Sequence, residues 1–342
     1  MQCTYFYCSN IYLRKNIKII FNYLLGPVLF IILSYSLYKQ IAHQPDLPER
    51  WAHIKQSWYN PVFWFVLFLM IVNYGIEARK WQLLLKPLEK FSLIKAFKSV
   101  LAGCSITMLT PNRIGEYGGR ILFVQEPNRL RAISLTILGS ISQLLVTILM
   151  GTLGLIVLTF FSEKDAAVFS FFPPLFSNTL LFLCIVLSIL FLMFYLRIGW
   201  LIHLMQKQKF LAKPLKYVRL LDQFSGKQLL RILFLSLLRY MAFILQYMLL
   251  LSVMEVGISL LLSFWLLTIF YLVMVMAPSI GFTELPLRAT ATVEIFKLYS
   301  SNILGIQAAA LGIWLINLVL PAIIGSILIL GIKITKENDE NP

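Results

Sequence analysis

"TPNRIGEYGGR", Thr110–Arg120, follows the apolar segment Ala96–Leu109 and crowds Arg113, Glu116 and Arg120 into one glycine-rich turn. The apolar segment is about 14 residues long, short of the roughly 20 that cross a bilayer as a helix. It is preceded by Lys95 and ends directly at Thr110 and Pro111. A chain that enters a membrane and meets such a break must either emerge on the far side or turn back. The rest of the sequence decides between these.

The surroundings are membrane-like. Of 342 residues, 59% are hydrophobic and 13% charged, and the mean hydropathy is +0.81, outside the range of soluble domains. Eight hydrophobic segments are expected, at Ile19–Tyr38, Pro61–Tyr74, Ala96–Leu109, Ala132–Phe161, Leu175–Tyr195, Leu229–Leu251, Ile258–Ala277 and Ile303–Ile332. Six to eight of them are expected to span. The fold class is therefore an all-α polytopic membrane protein, one domain over residues 1–342. Ile19–Tyr38 follows Arg14, Lys15 and Lys18 and lacks a small-x-small cleavage site, so it reads as a retained anchor. Pro27 and Pro321 fall inside segments, which membrane helices tolerate. The cysteines Cys3, Cys8, Cys104 and Cys184 form no CxxC pair, which points to neither a disulfide framework nor a zinc site.

Charge sets the sidedness. Arg197–Arg231 holds Arg197, Lys207, Lys209, Lys213, Lys216, Arg219, Lys227 and Arg231, whereas Ser162–Pro174 holds Lys164 alone. The first belongs in the cytoplasm and the second outside. Within the basic loop, "KFLAKPLKYVRLLDQF" interleaves cations with Phe210, Leu211, Leu215, Val218, Leu221 and Phe224. That pattern suits an interfacial helix on anionic lipid head groups. The net charge of +15 is thus assigned to lipid, with no nucleic-acid partner. Arg14, Lys15 and Lys18 place the N-terminus inside, and Arg79, Lys80, Lys86 and Lys90 mark a second cytoplasmic loop. Only one net crossing is then left between Lys90 and Ser162, although two hydrophobic segments lie there. Ala96–Leu109, the weaker of them, must enter and leave on the same side, as a re-entrant hairpin tipped by the opening stretch.

A second polar break, "APSIGFTELPLRAT", Ala277–Thr290, repeats the design. Each break leaves an apolar segment through proline, passes glycine, and presents Glu and Arg four residues apart, as Glu116…Arg120 and Glu284…Arg288. That spacing puts acid and base on one helical face. Paired breaks in two halves point to an inverted repeat with its site near the midplane, here with halves at about 60–196 and 229–332 joined by the basic loop 197–228. "NYGIEARKWQLLL", Asn73–Leu85, adds Glu77 and Arg79 at the cytoplasmic end of the second segment, with Trp81 as an interfacial anchor. The expected substrate-binding residues are Arg113, Glu116, Arg120, Glu284, Arg288, Glu77 and Arg79. No catalytic residue, metal ligand or cofactor is expected.

These residues resemble the transmembrane domain of the lysylphosphatidylglycerol synthases and its stand-alone relatives. The resemblance rests on Asn73, Glu77 and "RKW", with Lys80 intruding between Arg79 and Trp81. It continues in Pro111, Arg113, Gly115, Glu116 and Arg120, and then in Pro278, Ser279, Gly281 and Glu284, where Phe282 and Thr283 depart from the family's glycine-rich form. It implies a flippase-like protein of the bacterial inner membrane that translocates or binds a phospholipid or a lipid-linked polar head group. The soluble aminoacyl-transferring domain is not expected, since Pro342 follows the last segment closely.

Two other classes stand beside this one: a non-transporting accessory subunit for envelope lipid or polysaccharide synthesis, and a membrane-embedded transferase. A homo-oligomer or an envelope-biosynthesis partner fits either. For an enzyme the residues offer little. Asp46, Asp165, Asp222 and Asp339 are isolated, His43, His53 and His203 lie in loops or at a segment edge, and neither HExxH nor GK[ST] occurs.

Overall fold

A computed structural model describes residues 35, 47–108, 110, 114–160, 174–206, 217–276 and 284–340. The first segment with Pro27, the tip residues Pro111 and Arg113, most of Ser162–Pro174, residues 207–216 of the basic loop, and Pro278, Ser279 and Gly281 lie outside them. Every regular element among the described residues is helical. The longer ones are α1 (Leu47–Gln56), α2 (Pro61–Leu85), α3 (Leu93–Met108), α4 (Gly115–Ile121), α5 (Arg129–Phe160), α6 (Pro174–Leu196), α7 (Ile198–Gln206), α8 (Gly226–Val253), α9 (Leu260–Met276), α10 (Glu284–Phe296), α11 (Ile303–Trp314) and α12 (Leu320–Glu340). Among the described residues, five stretches are long and apolar enough to cross a membrane: Pro61–Leu85, Glu126–Phe160, Asn178–Leu196, Gly226–Val253 and Ile303–Leu330.

Local chemistry fixes where these helices begin. Asn60 caps α2, its side chain accepting from the Val62 amide at 2.9 Å, and Pro61 fills the first turn, where no amide partner is needed. Ser225 and Gln228 form a reciprocal capping box on α8. Asn302 caps α11 through the Gly305 amide at 2.9 Å. Between α11 and α12 a π-turn covers Leu315–Val319. Pro321 has no amide to give the Asn317 carbonyl, and the Tyr74 hydroxyl of α2 donates to that carbonyl at 2.6 Å instead.

The segment that decides the topology is a helical hairpin. α4 runs back along α3 so closely that a Cβ on Gly119 would stand 2.4 Å from the Ala102 carbonyl oxygen, and one on Gly115 2.3 Å from that of Ile106. Glycine at these two positions is what lets the backbones touch. The feet of the hairpin are joined as well. Glu89, before α3, accepts from the Gln125 amide and the Asn128 side chain, both at 3.3 Å and both after α4.

The residue before α11 also meets the residues that precede α9. Asn302, after α10, donates to the Met254 carbonyl at 2.9 Å and the Glu255 carbonyl at 3.1 Å, both before α9. At 17 residues, α9 belongs with the shorter apolar helices.

α2 and α8 pack antiparallel, with Val66 beside Gln246 and Lys80 beside Ser236. The buried apolar residues fall into two groups. One gathers Trp81, Leu84, Val100, Leu135 and Leu138 around the hairpin, the other Tyr247, Leu266, Phe270, Val293 and Ile306 around α9 and α10. Hydroxyl pairs stitch neighbouring helices across these cores, Ser142 to Ser236 at 2.8 Å and Thr152 to Ser188 at 2.9 Å. α6 is mostly exposed along its apolar length, as a lipid-facing helix would be.

One expectation needs correction. The second segment does not stop at Tyr74, and Glu77 is not in a loop: α2 runs on to Leu85 with Glu77, Lys80 and Trp81 buried. Charges had been taken as the membrane boundary, but here partners on other helices compensate them, so the helix keeps them inside.

Candidate functional site

Glu77 is the hub. Its carboxylate receives Lys80 Nζ at 2.8 Å from the next turn of α2, Arg120 Nη2 at 2.7 Å from α4, and Arg239 Nη1 at 3.1 Å from α8. Arg120 also pairs with Glu116 four residues before it. Three cations and two carboxylates from three elements thus form one network. The side chains of Lys80, Glu77 and Arg120 are 1–3% exposed, while Arg239 is 17% and Glu116 25% exposed. Arg239 stands halfway along α8, roughly 20 Å from either end at 1.5 Å per residue. The network therefore sits at the middle of α8, while Glu77 lies about two-thirds of the way along α2.

Its setting is built as carefully as its charges. Asn73, one turn before Glu77, accepts Arg239 Nε at 3.0 Å, and the Gln246 side chain beside it donates to the Val66 carbonyl at 3.0 Å. The Arg239 guanidinium lies 5.2 Å from the Phe243 ring centre. On the other side, Arg120 lies 5.4 Å from the Trp81 ring centre, and Ser99 links the two residues: it accepts the indole N–H at 3.0 Å and donates to the Arg120 carbonyl at 2.8 Å. Trp81 is fully buried. It is a packing plate for Arg120, not the interfacial anchor its flanking charges had suggested. Lys80 also reaches the Gly139 carbonyl and the Ser236 hydroxyl, each at 3.4 Å.

The seven expected site residues do not share one fate. Glu77, Glu116 and Arg120 come together. Arg79 does not join them; it lies exposed on the opposite face of α2 and pairs with Gln82. Arg113 lies outside the described residues. Glu284 and Arg288 form the expected pair, with Arg288 Nε and Nη2 at 2.9 and 2.7 Å from Glu284 Oε1. Tyr247 of α8 and Thr292 share a hydrogen bond of 2.8 Å one turn further along α10.

Two members were missed. Lys80 had been treated as an intruder in a family pattern, and Arg239 had not been noticed at all. The signal for Arg239 was available: in "LSLLRYMAFIL" it is a lone charge in the middle of a spanning segment, where a charge is costly and marks a site.

Among the described residues no three His, Cys, Asp or Glu side chains gather as a metal-holding set, and Cys104 and Cys184 are free thiols. What the network offers is electrostatic: fixed guanidinium and ammonium donors, desolvated and held in place by aromatic and amide partners. Such an array suits recognition of a charged polar group.

No curated protein and no solved structure matches this chain. A model of the lysylphosphatidylglycerol synthase transmembrane region matches residues 23–325, which carry the α3–α4 hairpin, α9, α10 and every member of the network, and the chain belongs to that family.

Proposed function

We propose that the protein is a flippase-like lipid handler, which translocates or binds a phospholipid or lipid-linked head group at the buried network. A polar head group does not cross hydrocarbon unaided; it needs a protein surface that replaces its water. The observation that carries the reading is Glu77 with its three cations, buried between α2, α4 and α8. Burying so much charge is costly unless the site serves a polar passenger. The family's association with lipid handling supports the same conclusion.

In this reading the two hairpins are re-entrant, hung from opposite faces as halves of an inverted repeat. The supporting facts are the joined feet of each, at Glu89 with Gln125 and Asn128, and at Asn302 with Met254 and Glu255. The α3–α4 hairpin opens to the cytoplasm with the N-terminus inside, and the membrane is the bacterial inner membrane. Glu284 and Arg288 form the second copy's half of the path. No enzymatic step is assigned to the chain.

The test is movement of fluorescent phospholipids in proteoliposomes, followed by dithionite bleaching of the outer leaflet over a panel of head groups. The proposal expects faster inward–outward exchange than in protein-free liposomes for at least one head group. Exchange at the protein-free rate for all of them, with correctly inserted protein, would turn the reading toward an accessory subunit.

A further inference from the structure

The ion network is not balanced. Lys80, Arg120 and Arg239 bring three positive charges against the two of Glu77 and Glu116. The surplus is not spread evenly. Lys80 and Arg120 are sealed, and Arg120 is already shared between two carboxylates. If Arg239 were to let go of Glu77, that carboxylate would keep Lys80 at 2.8 Å and Arg120 at 2.7 Å. The four charges left behind would sum to zero. Arg239 is also the most exposed of the three cations, so it is the one a ligand can reach.

It is aimed, too. Asn73 holds Nε at 3.0 Å and Nη1 faces Glu77, while Asn73 itself is fully buried. These two contacts grip the guanidinium on both sides of its Cζ–Nε bond and fix its plane. When Nη1 releases Glu77, Asn73 still holds Nε, and the Nη1 and Nη2 donors at the tip form a fork, the geometry that takes two oxygens of one oxyanion.

We propose that Arg239 is the ligand-contacting residue of the network and that its ligand is a singly charged oxyanion of the phosphodiester type, bound as counter-charge to the surplus cation. The assignment rests on the lipid-handling reading for its setting. It differs from that reading in naming the residue and the sign of the group it takes. Arg120 becomes a positioning residue, which keeps Glu77 neutralised when Arg239 turns to the ligand. Glu116 becomes the group that limits the surplus. Two sources supply phosphate oxygens for such a fork, the phosphodiester of a membrane lipid and free phosphate from solution.

The test uses the purified full chain in detergent, titrated with short-chain phosphatidylglycerol, short-chain diacylglycerol and inorganic phosphate, with binding read by calorimetry. The wild type binds phosphatidylglycerol at least tenfold tighter than diacylglycerol. Arg239→Gln loses that preference while keeping its melting temperature within a few degrees, because the charges it leaves behind are balanced. Glu116→Gln, which enlarges the surplus, tightens phosphatidylglycerol binding several-fold. Arg239→Lys retains part of the preference, and it decides the matter together with Glu116→Gln if Arg239→Gln does not fold. Inorganic phosphate competing at equal concentration assigns the site to a soluble anion; phosphate that fails to compete assigns it to the lipid. Equal affinity for phosphatidylglycerol and diacylglycerol, a preference untouched by Arg239→Gln, or weaker binding in Glu116→Gln would overturn the proposal. None of these depends on transport, so a protein that binds through Arg239 yet moves no lipid refutes the translocation reading alone.

Discussion

Replacing Glu77 and replacing its neighbour Lys80 should have very different consequences, although the two touch each other. Glu77→Gln preserves shape but leaves three cations facing Glu116 alone, with two of them sealed from water. Removing one partner of a buried ion pair typically costs about 3–5 kcal/mol, and Glu77 serves three partners, so the upper end applies. Lys80→Met instead removes the surplus. The groups that Lys80 abandons are not orphaned: Ser142 donates to the Gly139 carbonyl at 2.7 Å and shares a hydrogen bond with Ser236 at 2.8 Å. Arg120 and Arg239 remain on Glu77. The loss should be about 1 kcal/mol, the net worth of an ordinary hydrogen bond. Reversible unfolding in mixed micelles with increasing dodecyl sulfate, followed by tryptophan fluorescence, measures both. A Lys80→Met variant as damaged as Glu77→Gln, or a Glu77→Gln variant of wild-type stability, would refute the charge accounting.

Other perturbations probe separate parts of the fold. Gly119→Ala puts a methyl group against the Ala102 carbonyl, where only backbone can yield, and should cost about 1–3 kcal/mol in the same unfolding assay; a neutral result would mean that the hairpin is looser than described. Asn302→Ala removes the cap on Gly305 and both carbonyl contacts at the second hairpin's feet, for a loss of about 1–2 kcal/mol. Single cysteines at Ser170 and Ser225, labelled on intact cells with a membrane-impermeant maleimide, should react at Ser170 and not at Ser225; the reverse overturns the sidedness. Cysteines at Lys90 and Arg131, on either side of the first hairpin, should both be protected, and labelling of one alone would remove the re-entrant arrangement.

The close pairing of α3 with α4 was legible because shortness and glycine bear on one segment. Ala96–Leu109 is too short to span, and Gly115 and Gly119 recur at the helical interval that close packing against α3 needs. The i,i+4 pairs were legible for the same local reason, since four residues on a helix place Glu116 over Arg120 whatever surrounds them. The hub of the site was not, because its geometry is long-range. Glu77 meets Arg239 across 162 positions of chain, and no local pattern encodes that α2 and α8 run side by side. Without that partner, Glu77 and Lys80 resemble boundary charges and Trp81 an interfacial aromatic. Once α8 supplies a cation, the same three residues read as interior.

The account's central claim is that the buried network handles lipid, beyond holding helices together. The most direct measurement compares lipid exchange in proteoliposomes of the wild type and of Glu116→Gln combined with Arg120→Gln, a substitution that removes one charge of each sign and leaves the network's surplus unchanged. Melting temperature and the amount of inserted protein are tracked alongside. The account predicts that the double variant inserts and melts within reach of the wild type while its lipid exchange slows, because Arg120 no longer holds Glu77 when Arg239 turns to the ligand. A double variant that exchanges lipid as fast as the wild type would contradict it.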